Sequence, residues 1–528
     1  MTLRLDYLSP LPPVRSGISD YSIDLLPHLA ALADVRVLRL PDLPLDDEVA
    51  LRFGVRDDAS RAGEDGRLPL YQMGNNRYHA TVRETAMRVP GVVVLHDLVL
   101  HHFLLDRTVG QGEWQPYHDE LVRCHGWIGD AASRPVRWGA FGRSAQFELP
   151  ANRTLLERNR GVVVHGRWSA ERLAEEDPRL AVRVVPMAIP LPREASRAAG
   201  LAFRGRLGIP AEAPLLGSFG FQTPIKRTEV AIRTLARPGL ERVRLLVAGE
   251  LSPYAHFEQL AAQLGVAGSV HVVGFLPFAE LDAAIAATDL CLNLRYPSAG
   301  ETSASLLRIL AVGRPVVVSD YADFAELPDE IAIRVPLGDN EEERFAALVR
   351  ERLVGGAAVL AAMGERARDH VARHHAPEHS ARAMAEAAAE LGALEPPGPL
   401  PPAVPPKTSL ATSRAAIAIE VAGLDGWPPG ERRTLDVRIA NRSGASWLAS
   451  HELPGGIIFE VQLWVDGVDL WLGRPWLKLQ APLTPGAAIV LPLVVRRPLG
   501  SARLLVKPKI VTEAGHRPFA DGVFDRWL

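Results

Sequence analysis

The sequence predicts an α/β protein with two Rossmann-like domains and a C-terminal all-β sandwich domain. Three observations support this fold class. Apolar strands alternate with helical segments from residue 3 to about residue 392, and the alternation starts afresh near Leu207. A proline-rich stretch, LEPPGPLPPAVPPK, then fills residues 394–407. Beyond it, strands of period two are separated by Pro-Gly and Gly-Gly turns, as in a sandwich.

These changes of pattern give the domain boundaries. A chain of 528 residues is too long for one hydrophobic core, so several domains are expected. We place the first Rossmann-like domain at 1–196 and the second at 197–393. A proline-rich, semi-rigid linker is expected at 394–408, and the β-sandwich at 409–528.

The composition excludes several classes of function. The net charge of −3 and the absence of a basic run argue against nucleic-acid binding. The only cysteines, Cys124 and Cys291, lie in different predicted domains, which argues against a disulfide framework or a cysteine metal site. The N-terminus lacks a signal-peptide pattern, and no apolar stretch reaches about 20 residues. We therefore expect a cytoplasmic protein, with peripheral contact at the inner face of the membrane left open.

The most informative stretch runs from Asp289 to Asp320. A strand is predicted at Leu290–Leu294, a helix at Thr302–Val312 and a second strand at Pro315–Ser319, so the two strands should be parallel. Hydroxyl groups cluster where the helix begins, at Thr302, Ser303 and Ser305. Free N–H groups and the positive end of the helix dipole suit a phosphate there, although an ordinary capped helix has the same residues.

In the first half, a glycine and a histidine stand where strands end. Gly17 lies in the loop between the strand Leu3–Leu8 and a helix predicted at Ser19–Leu32, where a glycine lets the backbone approach a ligand. The strand Gly91–Leu95 runs directly into His96. The carboxyl ends of parallel strands are where open α/β sheets bind ligands. A histidine that only caps the strand or bonds a loop is the alternative.

In the second half, Lys226 and Arg227 stand at a predicted helix start, after the strand Leu215–Phe219. The helix dipole disfavours cations at that end, so a phosphate ligand or solvent exposure should offset them. The sandwich holds many of the tryptophans, which fit either its core or a sugar-stacking surface. They are Trp427, Trp447, Trp464, Trp471, Trp476 and Trp527.

Taken in order, these motifs resemble those of a known enzyme family. They are PPVRSGISDYS at the N-terminus, VVVLHD ending at Asp97, the Lys226 loop, VHVVGFLPFAEL at 270–281 and ETSASLLRILAVGRPVVVSD at 301–320. Residues 1–392 resemble the retaining glycosyltransferases of family four, which have the GT-B fold. QMGNN followed by PGVVVLHDLVLHHF is similar to one bacterial subgroup. The region beyond the linker resembles sandwich modules appended to bacterial polysaccharide enzymes.

The resemblance implies a function and roles for residues. The implied reaction transfers a sugar from a nucleotide-diphosphate-sugar co-substrate, without a metal or other cofactor, to a glycan or lipid-linked acceptor in surface polysaccharide assembly. The implied catalytic residues are His96, Lys226 and Glu301. The implied donor-binding residues are Gly17, Lys226, Arg227, Glu301, Thr302, Ser303 and Arg308.

The sequence also departs from the family pattern. Two glutamates separated by seven residues are usual, and Gly300 and Arg308 occupy their positions, with Glu301 one place away. Arg308 cannot accept hydrogen bonds from a ribose. The basic residue usual five or six positions before the lysine is replaced by Phe221 or Gly220. Two alternatives therefore stay open: a degenerate GT-B protein that binds glycans or acts as a scaffold, and a GT-B nucleotide-sugar epimerase.

Overall fold

The structure is a computed structural model of the chain. It describes residues 2–137, 145–192, 195–338, 340–354, 356–399, 416–450, 456–465, 468–469, 476–498, 501–512, 515–518 and 524–528. The described residues form two compact units. One contains residues 2–103 and 152–399, and the other contains residues 104–151 and 416–528. The predicted linker residues 400–408 and Trp471 lie outside the described residues.

The first half of the chain forms a parallel sheet. Its strands are β1 (Arg4–Leu8), β2 (Asp34–Val37), β3 (Leu68–Met73), β4 (Val92–Leu95), β5 (Gly161–Val164) and β6 (Val182–Val184). They pair in the order β2-β1-β3-β4-β5-β6, all parallel. β4 and β5 are buried along their whole length, as central strands covered on both faces should be.

Nine α-helices accompany this sheet or follow its strands among the described residues. They are α1 (Gly17–Ala30), α2 (Asp47–Arg52), α3 (Ala80–Ala86), α4 (His101–Arg107), α5 (Trp114–His125), α6 (Trp127–Val136), α7 (Ala145–Glu148), α8 (Arg153–Leu156) and α9 (Arg167–Glu176). α5 to α7 are the insertion that the sequence predicts between the strands.

The second half repeats this architecture. Its strands are β7 (Leu215–Phe219), β8 (Arg244–Ala248), β9 (Val270–Gly274), β10 (Leu290–Asn293), β11 (Val316–Ser319) and β12 (Ala332–Val335). They pair in parallel in the order β12-β11-β10-β7-β8-β9. The helices are α10 (Arg197–Arg206), α11 (Thr228–Leu235), α12 (Phe257–Gln263), α13 (Phe278–Ala287), α14 (Ala304–Val312), α15 (Glu341–Leu348), α16 (Ala357–His374) and α17 (Pro377–Gly392).

The last helix of this half, α17, packs on the first sheet. Leu391 is fully buried, and a methyl group added at Gly161 in β5 would lie 2.6 Å from its Cδ2. Met384 and Ala388 are buried in the same core as Leu25 and Leu29 of α1. The chain thus crosses back from the second half to the first at α17. α17 therefore ties the two halves into one unit.

The C-terminal region forms two antiparallel sheets, which confirms the predicted β domain. Its strands are β13 (Ile417–Ala422), β14 (Arg432–Asn441), β15 (Ile457–Val465), β16 (Val468–Asp469), β17 (Trp476–Lys478), β18 (Ala488–Arg496), β19 (Ala502–Thr512), β20 (Gly515–Pro518) and β21 (Phe524–Trp527). One sheet has the order β13-β14-β18. The other has the order β16-β15-β19-β20, with β17 on β15 and β21 on β19.

The buried faces of these two sheets share one hydrophobic core. Along β14, the buried residues Leu435, Val437 and Ile439 alternate with exposed ones, which is the pattern of a sheet covered on one face. Trp427 and Trp447 are fully buried in this core, whereas the side chain of Trp527 is 63% exposed. For the first two tryptophans, the core interpretation is therefore correct.

Candidate active site

The unit from β10 to β11 has the predicted crossover, and α14 begins slightly later than expected. Ser303 is the N-cap, because its Oγ accepts a hydrogen bond from the Leu306 backbone N–H at 3.3 Å. Thr302 and Ser303 therefore precede the helix instead of opening it. The Ser303 and Ser305 hydroxyls lie 3.0 Å apart, and Asn293 Nδ2 donates to Ser305 Oγ at 3.1 Å. The N-terminus of α14, which we call the helix mouth, thus presents hydroxyl groups beside the backbone N–H groups of the first helical turn.

Lys226 lies beside this helix mouth. Its side chain is buried, with 6% of the residue exposed, and its Nζ donates a hydrogen bond to the Phe219 carbonyl oxygen. Gly220 follows β7 with φ +86°, and a methyl group placed on it would lie 2.8 Å from Lys226 Nζ and 3.4 Å from Ser305 Oγ. The ammonium and the hydroxyl therefore both lie close to Gly220, and a side chain at position 220 would collide with the lysine.

The surroundings disfavour a charge on Lys226. Burial lowers its pKa well below the usual value, the positive charge of Arg295 lowers it further, and Glu301 opposes both effects. An anion bound next to Lys226 would restore the charged form of the lysine, because an opposite charge at close range favours ionisation.

Glu301 is held by its own loop. Its Oε1 accepts a hydrogen bond from Arg295 Nε at 2.9 Å. Its Oε2 accepts from Ser298 Oγ and from the Ala299 backbone N–H, both at 2.8 Å. The carboxylate therefore shapes the loop and fixes the Arg295 guanidinium.

The same loop contacts the first Rossmann-like half. The Leu98 and Val99 backbone N–H groups donate to the carbonyl oxygens of Gly300 at 3.4 Å and Ala299 at 2.9 Å. Gly300 has φ +70°, and a methyl group on it would lie 2.5 Å from Leu98 Cβ. A glycine at position 300 is required by this close approach, because a glutamate would collide with the first half.

Gly17 meets the helix mouth from the first half. It opens α1 after the N-cap Ser16, whose Oγ accepts from the Ser19 N–H at 3.1 Å. A methyl group on Gly17 would lie 3.9 Å from Ala304 Cβ, at the first residue of α14. The N-terminal ends of α1 and α14 thus approach one another, and both present partial positive charge.

His96 directly follows β4 and is buried. Its Nε2 lies 2.8 Å from the Gln72 side-chain amide oxygen, and its Nδ1 lies 3.2 Å from His165 Nε2. His165 in turn donates from Nδ1 to the Val185 carbonyl oxygen at 2.8 Å. Burial holds the pKa of His96 well below its usual value, and His165 lowers it further.

This chain of contacts determines the His96 tautomer. A carbonyl oxygen only accepts, so His165 Nδ1 carries the proton and its Nε2 accepts from His96 Nδ1–H. His96 Nε2 is then an acceptor, which a 180° rotation of the Gln72 amide would satisfy. The Tyr21 ring centroid lies 4.8 Å from that of His96. Within the described part of the chain, the Tyr21 hydroxyl and Gln72 Nε2 are buried without hydrogen-bond partners.

Asp97 stands between His96 and the Glu301 loop. The pKa of Asp97 is raised to about 7, mainly by burial and to a smaller extent by the negative charge of Glu301. The Asn75 backbone N–H, which donates to Asp97 Oδ2 at 2.7 Å, and the Arg295 charge act in the opposite direction. Asp97 therefore titrates near neutrality at the contact between the two halves.

Two predicted donor-binding residues have other partners. The guanidinium of Arg227 forms an ion pair with the buried Glu341, with Nε 3.0 Å from Oε1. Among the described residues, the Glu341 carboxylate of α15 therefore offsets this cation at the start of α11. Arg308 binds Asp282 bidentately at 2.6 and 3.0 Å, with its guanidinium 4.2 Å from the centre of the Phe278 ring. The predicted residues brought together are Gly17, Lys226, Glu301, Thr302 and Ser303.

Sequence reasoning missed three polar residues of this region, namely Gln72, His165 and Arg295. His165 had a signal, because it ends β5 as His96 ends the neighbouring β4, and β4 and β5 are parallel. Gln72 and Arg295 had none, since a polar residue within or just after a buried strand does not reveal its partner.

Residues 213–353 match the sequence model of the family described as Glycosyl transferases group 1. The chain is a glycosyltransferase. The match contains Lys226, Arg295, Glu301 and all of α14, and it confirms the predicted enzyme class, a glycosyltransferase. No curated protein matches the chain in sequence.

Solved structures support the fold of this glycosyltransferase. The chain is similar to sucrose-phosphate synthase from Thermosynechococcus elongatus, with a TM-score of 0.52 and 16% identity, over 74% of this chain and 99% of the other. A match of this identity shows the GT-B fold alone. The chain is also similar to Anabaena HepE in complex with UDP, with a TM-score of 0.48 and 15% identity, over 74% of this chain and 100% of the other.

None of the helices among the described residues combines the length and the apolar character that crossing a membrane would require.

Proposed function

We propose that this glycosyltransferase moves a sugar from a nucleotide-diphosphate-sugar donor to a glycan or lipid-linked acceptor in surface polysaccharide assembly, with retention of the anomeric configuration. One observation carries the proposal: the buried Lys226 ammonium and the Ser305 hydroxyl lie close together beside Gly220, at the N-terminus of α14. A cation, hydroxyl groups and the N–H groups of a helix N-terminus, grouped in one place, are what a diphosphate requires.

The same groups serve the chemical step. The bond between the anomeric carbon and the diphosphate oxygen breaks, and its electron pair stays on the diphosphate. The acceptor hydroxyl oxygen bonds to the anomeric carbon, and its proton passes to the departing diphosphate. Negative charge therefore grows on the leaving group, where Lys226 and the helix mouth are already oriented to stabilise it.

The first half would supply the sugar and acceptor side. Gly17 leaves room beside Ala304 for the donor to span the two halves. The unpartnered Tyr21 hydroxyl lies next to His96, and a sugar hydroxyl group can satisfy it. His96 would contact the ligand by exchanging its bond to Gln72. The roles of Thr302, Arg227 and Arg308 in donor binding stay predictions.

The test is a mass-spectrometric screen for donor hydrolysis and transfer with UDP-, GDP- and dTDP-sugars. On the donor that is turned over, Lys226→Ala should lower kcat/KM at least about 100-fold, and His96→Ala should also lower it. Arg233→Gln is the matched control, because this exposed side chain pairs with Glu342 at 3.2 Å. Unchanged turnover in both site variants would refute these roles. NMR of the product tests retention.

The screen also separates the alternative functions. If calorimetry with the same nucleotide sugars detects no binding, the result would favour a degenerate GT-B protein that binds glycans or acts as a scaffold. A product with an inverted sugar centre, formed without acceptor, would identify an epimerase.

A further inference from the structure

Arg295 is a buried cation whose environment is incomplete. It follows β10 by two residues, and only 7% of it is exposed. Its backbone N–H donates to Ser319 Oγ at 3.0 Å, and its Nε donates to Glu301. Within the described residues, its Nη1 is buried without a hydrogen-bond partner. Buried charged donors without partners are rare, because each has lost its water without gaining another acceptor.

The charge around Arg295 is also unbalanced. Arg295 and Lys226 are both buried, and the residues next to them are joined by a hydrogen bond of 3.0 Å from the Tyr296 backbone N–H to the Ile225 carbonyl oxygen. Glu301 is the carboxylate that contacts Arg295, and the nearby Asp97 is only partly ionised near neutrality because its pKa is raised to about 7. Two buried basic side chains beside one carboxylate bound to Arg295 favour an additional anion.

The geometry brings donors for that anion together. Lys226 Nζ and Ser305 Oγ both lie close to Gly220, at the N-terminus of α14. Glu301 holds the guanidinium by Nε, which leaves the Nη1 donor for an oxygen of the anion. Guanidinium groups suit phosphates, since their planar donors can bond two oxygens at once.

We propose that Arg295 is the second cation of the diphosphate site and neutralises the leaving group together with Lys226. It thereby supplies, from the end of β10, the positive charge that the sequence pattern lacks at Gly220 and Phe221. This inference rests on the proposed function, since it concerns the same site. It places this positive charge after β10, whereas the family pattern places it after β7.

The experiment measures the binding of inorganic pyrophosphate to the full-length chain by calorimetry. This probe contains neither base nor sugar, so it tests the anion site even if no sugar donor is turned over. Arg295→Gln should weaken pyrophosphate binding at least about 10-fold, while Arg233→Gln should bind like wild type. Failure of the sugar-transfer screen with intact pyrophosphate binding would refute the proposed function and leave this site standing.

A second comparison separates anion binding from structural support. For whichever of UDP, GDP or dTDP binds the wild type, Arg295→Gln should weaken the diphosphate at least about 10-fold and the matching nucleoside less than about 2-fold. A structural defect would weaken both equally, and that result would overturn the proposal. Wild-type pyrophosphate affinity in a folded Arg295→Gln protein would also overturn it, as would absence of pyrophosphate binding in the wild type.

If Arg295→Gln does not fold, Arg295→Lys takes its place. The lysine keeps the charge but cannot bond Glu301 and a phosphate through one planar group. Binding weakened about 3- to 10-fold supports the proposal, and unchanged binding contradicts it.

Discussion

Single residues at the junction of the two halves are set by close backbone approach. Gly300 illustrates this, because its φ of +70° and the nearby Leu98 Cβ both exclude a larger residue. The family pattern places a glutamate there, and the neighbouring Glu301 has its carboxylate held by Arg295, Ser298 and Ala299. The loss of that glutamate and the contact between the halves thus have one structural cause.

Gly300→Ala should destabilise the protein by about 2–5 kcal/mol, from a strained positive φ and a collision with Leu98. Gly265→Ala is the matched control, because Gly265 has φ +72° with nothing within 4 Å of an added methyl group. It should cost about 1–2 kcal/mol. Denaturant unfolding measures both, and equal losses would show that the contact with Leu98 contributes nothing.

The histidine pair gives a second prediction at this scale. Burial lowers the pKa of His165 to about 4 and that of His96 well below its usual value. Both rings should stay neutral from pH 8 down to pH 5, with the proton on Nδ1 in each. Nitrogen-15 NMR of histidine-labelled protein reads the tautomer and the charge directly. A His96 ring that titrates near 6.5, or that carries its proton on Nε2, would contradict the hydrogen-bond chain.

At the scale of elements, packing decides more than position in the sequence. α17 belongs by sequence to the second half but covers β5 of the first sheet. The amphipathic pattern of α17 predicts a helix, whereas nothing in that pattern says which sheet it covers.

Leu391→Ala should therefore destabilise the first half. Removing this fully buried side chain should cost about 2–5 kcal/mol, whereas Glu386→Ala on the exposed face of α17 should cost under about 0.5 kcal/mol. Hydrogen exchange should show the loss of protection in β4 and β5 before β7 and β8. Equal loss in both sheets would mean that α17 does not discriminate between them.

The sequence predicts elements better than partners. β7 begins and ends where it was expected, and β10, α14 and β11 have the predicted order, since apolar period and Gly or Pro breaks determine them locally. Lys226 and α14 meet because β7 and β10 are parallel neighbours that end at the same edge. The Arg227–Glu341 and Arg308–Asp282 pairs were not predictable, because they join residues 114 and 26 positions apart.

For the whole GT-B unit, the contact between its halves should depend on pH. Asp323 accepts a hydrogen bond from Ser169 Oγ at 3.2 Å, and its pKa is raised to about 7 by burial and by Glu326. Between about pH 4 and pH 7 the folded state therefore binds the extra proton, so this group's contribution to stability decreases as pH rises. Buried histidines act oppositely, so the wild type alone cannot isolate the effect.

Asp323→Asn isolates it, because the amide oxygen still accepts from Ser169 and does not ionise. The variant should melt at a higher temperature than wild type at pH 8, and the difference should shrink as the pH falls from about 7 towards 4, vanishing only below the ordinary aspartate pKa of 3.8. Thermal unfolding at several pH values measures this. A difference that stays constant with pH would show that Asp323 ionisation is not coupled to folding.

The loop at 296–301 holds Arg295 of the proposed diphosphate site through Glu301, and it also makes the contact with Leu98 and Val99. Ligand affinity and the association of the two halves are then reciprocal quantities, since whatever favours one must favour the other by the same free energy. A bound diphosphate would therefore stabilise the contact between the two halves, and weakening that contact would favour release of the nucleotide product.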